Sequence, residues 1–151
     1  MGLKLTDRQT VFLDTAPLIY YFEENERYID RMAQFIEQVF QLDVQMATYI
    51  EILTFPTENK METLAAKYRD FLTNSENLSL YPLNPQIADS AIQMRVKYRL
   101  KTPDAIQLAT AKVCGADHVL TNDREWGSHK GSPNFPRKRS LNRIENNSRI
   151  N

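Results

Sequence analysis

Apolar and polar positions follow two rhythms along this chain. Short apolar runs of strand length fall at residues 10–13, 44–48, 78–83 and 118–121. Each is bounded by polar or turn residues and has the look of a buried strand. Between them the apolar positions recur at helical spacing. Residues 15–22 open on Thr15 with Pro17 in the first turn, a helix-start pattern. Residues 27–40 carry Ile29, Met32, Ala33, Ile36, Val39 and Phe40 on one helical stripe. A short helix is expected from Tyr49, to be ended or kinked by Pro56, and another over 57–71. Asn84-Pro85 starts a helix that runs to about Arg99. Thr102-Pro103 starts the next, and Gly115 stops it.

Strands that alternate with helices predict an α/β domain: a mostly parallel central sheet with helices on both faces. The chain has 151 residues, which suits one domain and one core region. The expected limits are a domain over 1–127 and an irregular or atypical basic tail over 128–151, with no strand after Gly127.

Composition narrows the chemistry. Hydrophobic residues make up 42% and charged residues 25%, ordinary for a soluble domain. No apolar run reaches the ~18 residues of a membrane helix, and MGLKLTDRQT holds no apolar signal-peptide core. The single cysteine, Cys114, excludes an internal disulfide. A cytoplasmic location with no membrane partner is therefore the expectation. Two histidines and one cysteine cannot build a Cys/His zinc centre, so any metal would be held by oxygen. Formal net charge is zero, but 128–151 holds six basic side chains against Glu145.

Four acids stand out by position. Asp14 follows Val11-Phe12-Leu13 directly. Glu51 follows the second strand, Asp104 lies in the first turn of the helix leading into the fourth, and Asp123 lies just past that strand. All four project toward the carboxyl ends of the strands, where open parallel sheets build their sites. Each has a plainer reading alone: a helix-dipole partner for Asp104, a turn residue for Asp123, a solvated helix acid for Glu51. Together they would repel unless a proton or a hard cation joined them. Mg²⁺ or Mn²⁺ suits such oxygen ligands. No Ser/His or Cys/His pair and no glycine-rich phosphate loop is evident.

The stretches VFLDTAPLIYYFE, ATYIEILTFP and KTPDAIQLATAKVCGADHVLTNDREW, in that order, resemble the PIN-domain family, in particular its VapC-like toxins. The resemblance spans about residues 9 to 127. It implies a three-layer PIN fold and a Mg²⁺- or Mn²⁺-dependent endoribonuclease acting on RNA. It implies a small antitoxin as partner and a homodimer. Carried onto this chain, Asp14, Glu51, Asp104 and Asp123 are the implied metal-binding and catalytic acids. Thr15 and Thr121 match small polar positions beside them, and Arg124 is placed to touch substrate. Ala16 stands where Ser or Asn is frequent in relatives.

Two other readings compete. One is a PIN-like module that binds RNA or protein with weakened catalysis. The other is a receiver-like phosphoacceptor domain, which lacks a convincingly placed lysine here. Arg95, Lys97, Arg99 and Lys101 could guide phosphates, or simply complement a helix C-terminus. Tyr20, Tyr21 and Phe22 could stack on bases or pack. Cys114, His118 and Trp126 read as packing residues.

Overall fold

The computed structural model describes residues 9–24, 39–121 and 137–139. Five strands form one sheet: β1 (Thr10–Leu13), β2 (Gln41–Gln45), β3 (Leu78–Tyr81), β4 (His118–Leu120) and β5 (Arg137–Arg139). Their order is β3-β2-β1-β4-β5, and every pairing is parallel. The helices are α1 (Thr15–Glu24), α2 (Met46–Glu58), α3 (Glu62–Asn74), α4 (Pro85–Tyr98) and α5 (Thr102–Val113). None of them is long and apolar enough to cross a membrane. The helix expected over 27–40 falls largely outside the described residues.

The period-two rule assigns the faces of the sheet. Val11 and Leu13 of β1 point to one side and Phe12 to the other. Val11, Leu13, Leu42 and Val44 join Leu18 of α1, Ile52 and Leu53 of α2, and Tyr68 and Leu72 of α3 in one buried cluster. Phe12 and Val119 join Ile87, Ala91 and Met94 of α4 and Ala105, Leu108 and Ala109 of α5 in the other. The sheet therefore lies between two helical layers, as the alternating rhythm predicts. Burying both faces explains why β1 reads as a continuous apolar run rather than an alternating one.

Several terminators act as their residue types dictate. Asn84 Oδ1 accepts the Ile87 N–H at 2.9 Å, with Pro85 opening α4. At the end of α5, Gly115 has φ +69°; its N–H reaches Lys112 O and the Ala116 N–H reaches Ala111 O. That pair of bonds is a Schellman cap, which glycine enters without a Cβ penalty.

Some expected boundaries move. The second strand occupies Gln41–Gln45 rather than 44–48. Gln45 Oε1 accepts the Ala47 N–H, so the helix begins at Met46. Pro56 neither ends nor precedes the end of that helix directly; α2 continues to Glu58 and gives up the one bond the proline cannot donate. Thr15 and Thr102 are first helical residues rather than caps; Asp14 and Lys101 precede them. The largest correction is β5. Arg137-Lys138-Arg139 has no apolar alternation, so nothing local marks it as a strand. Its extended state comes from the ladder it makes with His118-Val119-Leu120. Basic residues on such an edge also discourage pairing with another chain.

Candidate active site

Strand order decides where a site can form. From β1 the chain builds β2 and β3 on one side, then returns to place β4 on the other. The order reverses between β1 and β4, and their carboxyl ends leave a crevice there. Asp14 sits at that point. Its N–H donates to Leu120 O at 3.0 Å, extending the β1–β4 ladder by one bond. Its Oδ1 accepts the Thr15 N–H at 2.8 Å, and its Oδ2 accepts the Thr121 hydroxyl at 2.8 Å. The half-buried carboxylate is thus held at both oxygens, and one of those bonds partners the first N–H of α1. The opening helix N–H groups favour negative charge at this spot.

Behind Asp14 lies a buried polar chain. The hydroxyls of Thr15 and Thr48 meet at 2.7 Å, and Gln107 Nε2 donates to Thr48 Oγ1 at 3.0 Å. All three residues are buried. Asp104, half-buried, stands one turn before Gln107 in the first turn of α5. Glu51 stands one turn after Thr48 on α2 and is exposed. It lies in the second turn of that helix, deeper than the shorter predicted helix would put it. The structure brings Asp14, Thr15 and Thr121 into direct contact, and links the helices of Glu51 and Asp104 to them through Thr48 and Gln107. Asp123, Arg124 and Trp126 lie outside the described residues.

Sequence reasoning missed Thr48 and Gln107. The available signal was a polar residue on an apolar helical face: Gln107 is flanked by Ala105, Leu108 and Ala111, all buried.

Among the described residues, no three of His, Cys, Asp and Glu gather closely enough to hold a metal ion. The donors at this edge are carboxylate and hydroxyl oxygens. Mg²⁺ is commonly bound by only one or two carboxylates and keeps several waters, so Asp14 and Asp104 are donors of the right chemistry for it.

A PIN domain family model matches residues 11–131. The chain belongs to the PIN domain family. The match runs from β1 through β4, takes in the five helices among the described residues and has Asp14, Glu51, Asp104 and Asp123 inside it; β5 lies beyond it. Solved structures share the fold of this PIN domain. VapBC2 from Rickettsia felis, bound to a DNA fragment from its promoter, aligns with TM-score 0.68 and 14% identity, over 87% of this chain and 98% of that one. A toxin–antitoxin complex from Klebsiella pneumoniae aligns with TM-score 0.63 and 22% identity, over 85% and 99%. VapC20 from Mycobacterium tuberculosis, a toxin that cleaves the sarcin–ricin loop, aligns with TM-score 0.63 and 12% identity, over 83% and 99%. At these identities the likeness is one of fold. No curated protein sequence matches this chain.

Some of the other candidate positions make local contacts. Arg95 Nε donates to Leu100 O at 3.2 Å, fastening the turn after α4. Lys97 Nζ lies 5.1 Å from the centre of the Tyr98 ring. Arg99 caps α4 in the left-handed region, φ 55°. His118 is buried, with Nε2 3.0 Å from Gln9 Oε1.

A second polar cluster, unforeseen in the sequence, lies on the α4–α5 side of β2. Asp43 is buried, and its Oδ1 accepts from Gln41 Nε2 at 2.9 Å. Burial raises its carboxyl above the usual range, against the lowering effect of hydrogen bonds from Gln41 and Cys114. Burial and the Asp43 carboxylate push the Cys114 thiol up to about 12. Burial, Asp43 and Cys114 also raise the Tyr81 phenol. Cys114 follows the C-terminus of α5, the end opposite Asp104, so this cluster is separate from the crevice.

Proposed function

We propose that this PIN domain is a Mg²⁺- or Mn²⁺-dependent endoribonuclease, a toxin silenced by a small antitoxin. The observation that carries the reading is Asp14: a carboxylate fixed at both oxygens, at the switch point of a parallel sheet, in a chain of this family. Fixing a charge in a half-buried place costs desolvation, and a cation bound there would offset it. Asp14 and Asp104 are the assigned metal ligands, joined by Asp123 and by Glu51 at the rim. A bound divalent ion would supply Lewis-acid stabilisation of charge on the scissile phosphate. Thr121 and Thr15 keep Asp14 in one orientation. Glu51 or Asp104 orients the attacking water and takes its proton. Arg124 meets the RNA backbone.

The partner assignment is supported by the company the fold keeps: several structural neighbours are toxin–antitoxin complexes. A homodimer and a cytoplasmic setting belong to the same reading.

The test is cleavage of a panel of structured and single-stranded RNAs by the partner-free chain, with Mn²⁺ or with EDTA, beside Asp104→Asn. The expected result is cutting that needs metal and falls to the EDTA level in the variant. Cutting that survives both would show a contaminant and overturn the assignment. A folded chain that binds RNA but cuts nothing in the panel would favour a binding module.

A further inference from the structure

We infer that Gln107 and Thr48 are positioning residues for the metal site, acting through Thr15 on Asp14; the inference rests on the nuclease reading above. The three side chains form one buried hydrogen-bonded line: Gln107 Nε2 to Thr48 Oγ1 at 3.0 Å, Thr48 Oγ1 to Thr15 Oγ1 at 2.7 Å. They come from α5, α2 and α1, and these are the helices tied to three of the acids. Gln107 is one turn from Asp104, Thr48 is one turn from Glu51, and Thr15 adjoins Asp14. Residues three apart on a helix share a face. The line therefore sets the spacing of three elements at the level where their carboxylates emerge.

A second observation separates this from ordinary packing. Gln107 is 4% exposed, and its Oε1 is buried with no hydrogen-bond partner among the described residues. A stranded carbonyl oxygen opposes folding, and such groups in otherwise well-satisfied proteins call for an explanation. Methionine would occupy similar space without stranding anything. Gln107 is thus a poor choice for stability, and its amide bond to Thr48 is what it offers in return. Turning the amide over does not remove the conflict. Thr48 would then donate to Oε1, and Nε2 would be the stranded atom in its place. Supporting groups around metal ligands usually act in this way, and their loss typically costs about 10–100-fold in metal affinity or activity.

The experiment measures Mn²⁺ binding by titration calorimetry and thermal unfolding on the same chains: wild type, Asp104→Asn, Gln107→Met, Thr48→Val and Thr48→Ser. RNA cleavage against Mn²⁺ concentration is recorded in parallel. The expected result for Gln107→Met is Mn²⁺ affinity about tenfold weaker, with a melting temperature equal to or above that of wild type. Thr48→Val is expected to weaken Mn²⁺ similarly, and Thr48→Ser, which keeps the hydroxyl, to restore it. A purely structural role predicts the reverse for Gln107→Met: a lower melting temperature and unchanged Mn²⁺ affinity. That outcome would overturn the inference while leaving the nuclease reading intact, provided Asp104→Asn still loses Mn²⁺. Wild type that takes up no Mn²⁺ would overturn both.

Discussion

Gln45→Met is expected to destabilise the fold by about 2 kcal/mol, through two lost hydrogen bonds and almost no lost volume. Gln45 is fully buried at the end of β2, where the chain turns into α2. Its Nε2 donates to Thr110 Oγ1 at 2.7 Å, joining β2 to α5. Its Oε1 accepts the Ala47 N–H at 3.3 Å, one of the opening N–H groups of α2 that have no partner within the helix. Methionine has a similar length, so the cavity contribution is small. Loss of a side-chain cap costs about 0.5–2 kcal/mol, and the long 3.3 Å distance puts this one near the lower end. Loss of a buried neutral bond costs about 1–1.5 kcal/mol. Thr110 keeps its own donation to Ile106 O at 2.7 Å, so only its acceptor side is left bare. For a chain of this length the sum corresponds to a fall in melting temperature of roughly 4–8 °C. Urea denaturation followed by circular dichroism would show it as a lower midpoint with an unchanged slope. Thr110→Val in the Gln45→Met background should recover about 1 kcal/mol, because both partners of the 2.7 Å bond are then apolar and no bare hydroxyl acceptor remains. A single-variant loss under about 0.5 kcal/mol, or a double variant no better than the sum of the singles, would refute the reasoning.

Further outcomes follow from the Asp43 cluster. Burial raises the folded-state carboxyl of Asp43 above its unfolded value of 3.8, so the folded chain holds that proton more tightly than the unfolded one. Its contribution to stability is therefore greatest below 3.8 and is lost as pH rises through the folded value. Asp43→Asn should gain stability relative to wild type between pH 4 and pH 7; a difference in unfolding free energy that does not grow with pH would contradict this. With the Cys114 thiol near 12, thiolate at pH 8 is on the order of 10³-fold scarcer than for a free cysteine, so iodoacetamide should label the folded chain correspondingly slowly. Rapid labelling before unfolding would show that partial burial and Asp43 do not hold the thiol protonated.

Much of the architecture was legible because its causes are local. The apolar run of β1 reads directly from Val11-Phe12-Leu13. The Asn84-Pro85 start and the Gly115 stop follow from which residues can cap a helix. Asp14 drew notice because a charge ending an apolar strand needs a reason, and the structure holds it by Thr15 and Thr121 at the crevice. The family resemblance was legible for the same reason: its motifs are short and contiguous. Glu51 was foreseen as a residue near the second strand, but its depth in α2 was not, because the helix start depends on Gln45 turning back to cap it.

What tertiary structure alone decided is pairing at a distance. Nothing in the local pattern distinguishes β3-β2-β1-β4-β5 from another parallel order, yet that order creates the crevice beside Asp14. Arg137-Lys138-Arg139 becomes a strand only because β4 offers it a ladder. Thr15 meets Thr48 across 33 residues, and Gln107 meets Thr48 across 59. Hydrophobic periodicity marks such positions as facing inward but does not say which polar group waits there. A hydrogen bond needs its partner within about 3 Å, and only the packing of helix on sheet brings those groups that close. The sequence by itself thus determined the rhythm of elements, their caps and the acids worth watching. The packed chain determined that Asp14 stands where β1 and β4 part, and which buried hydroxyls and amides join α1, α2 and α5 behind it.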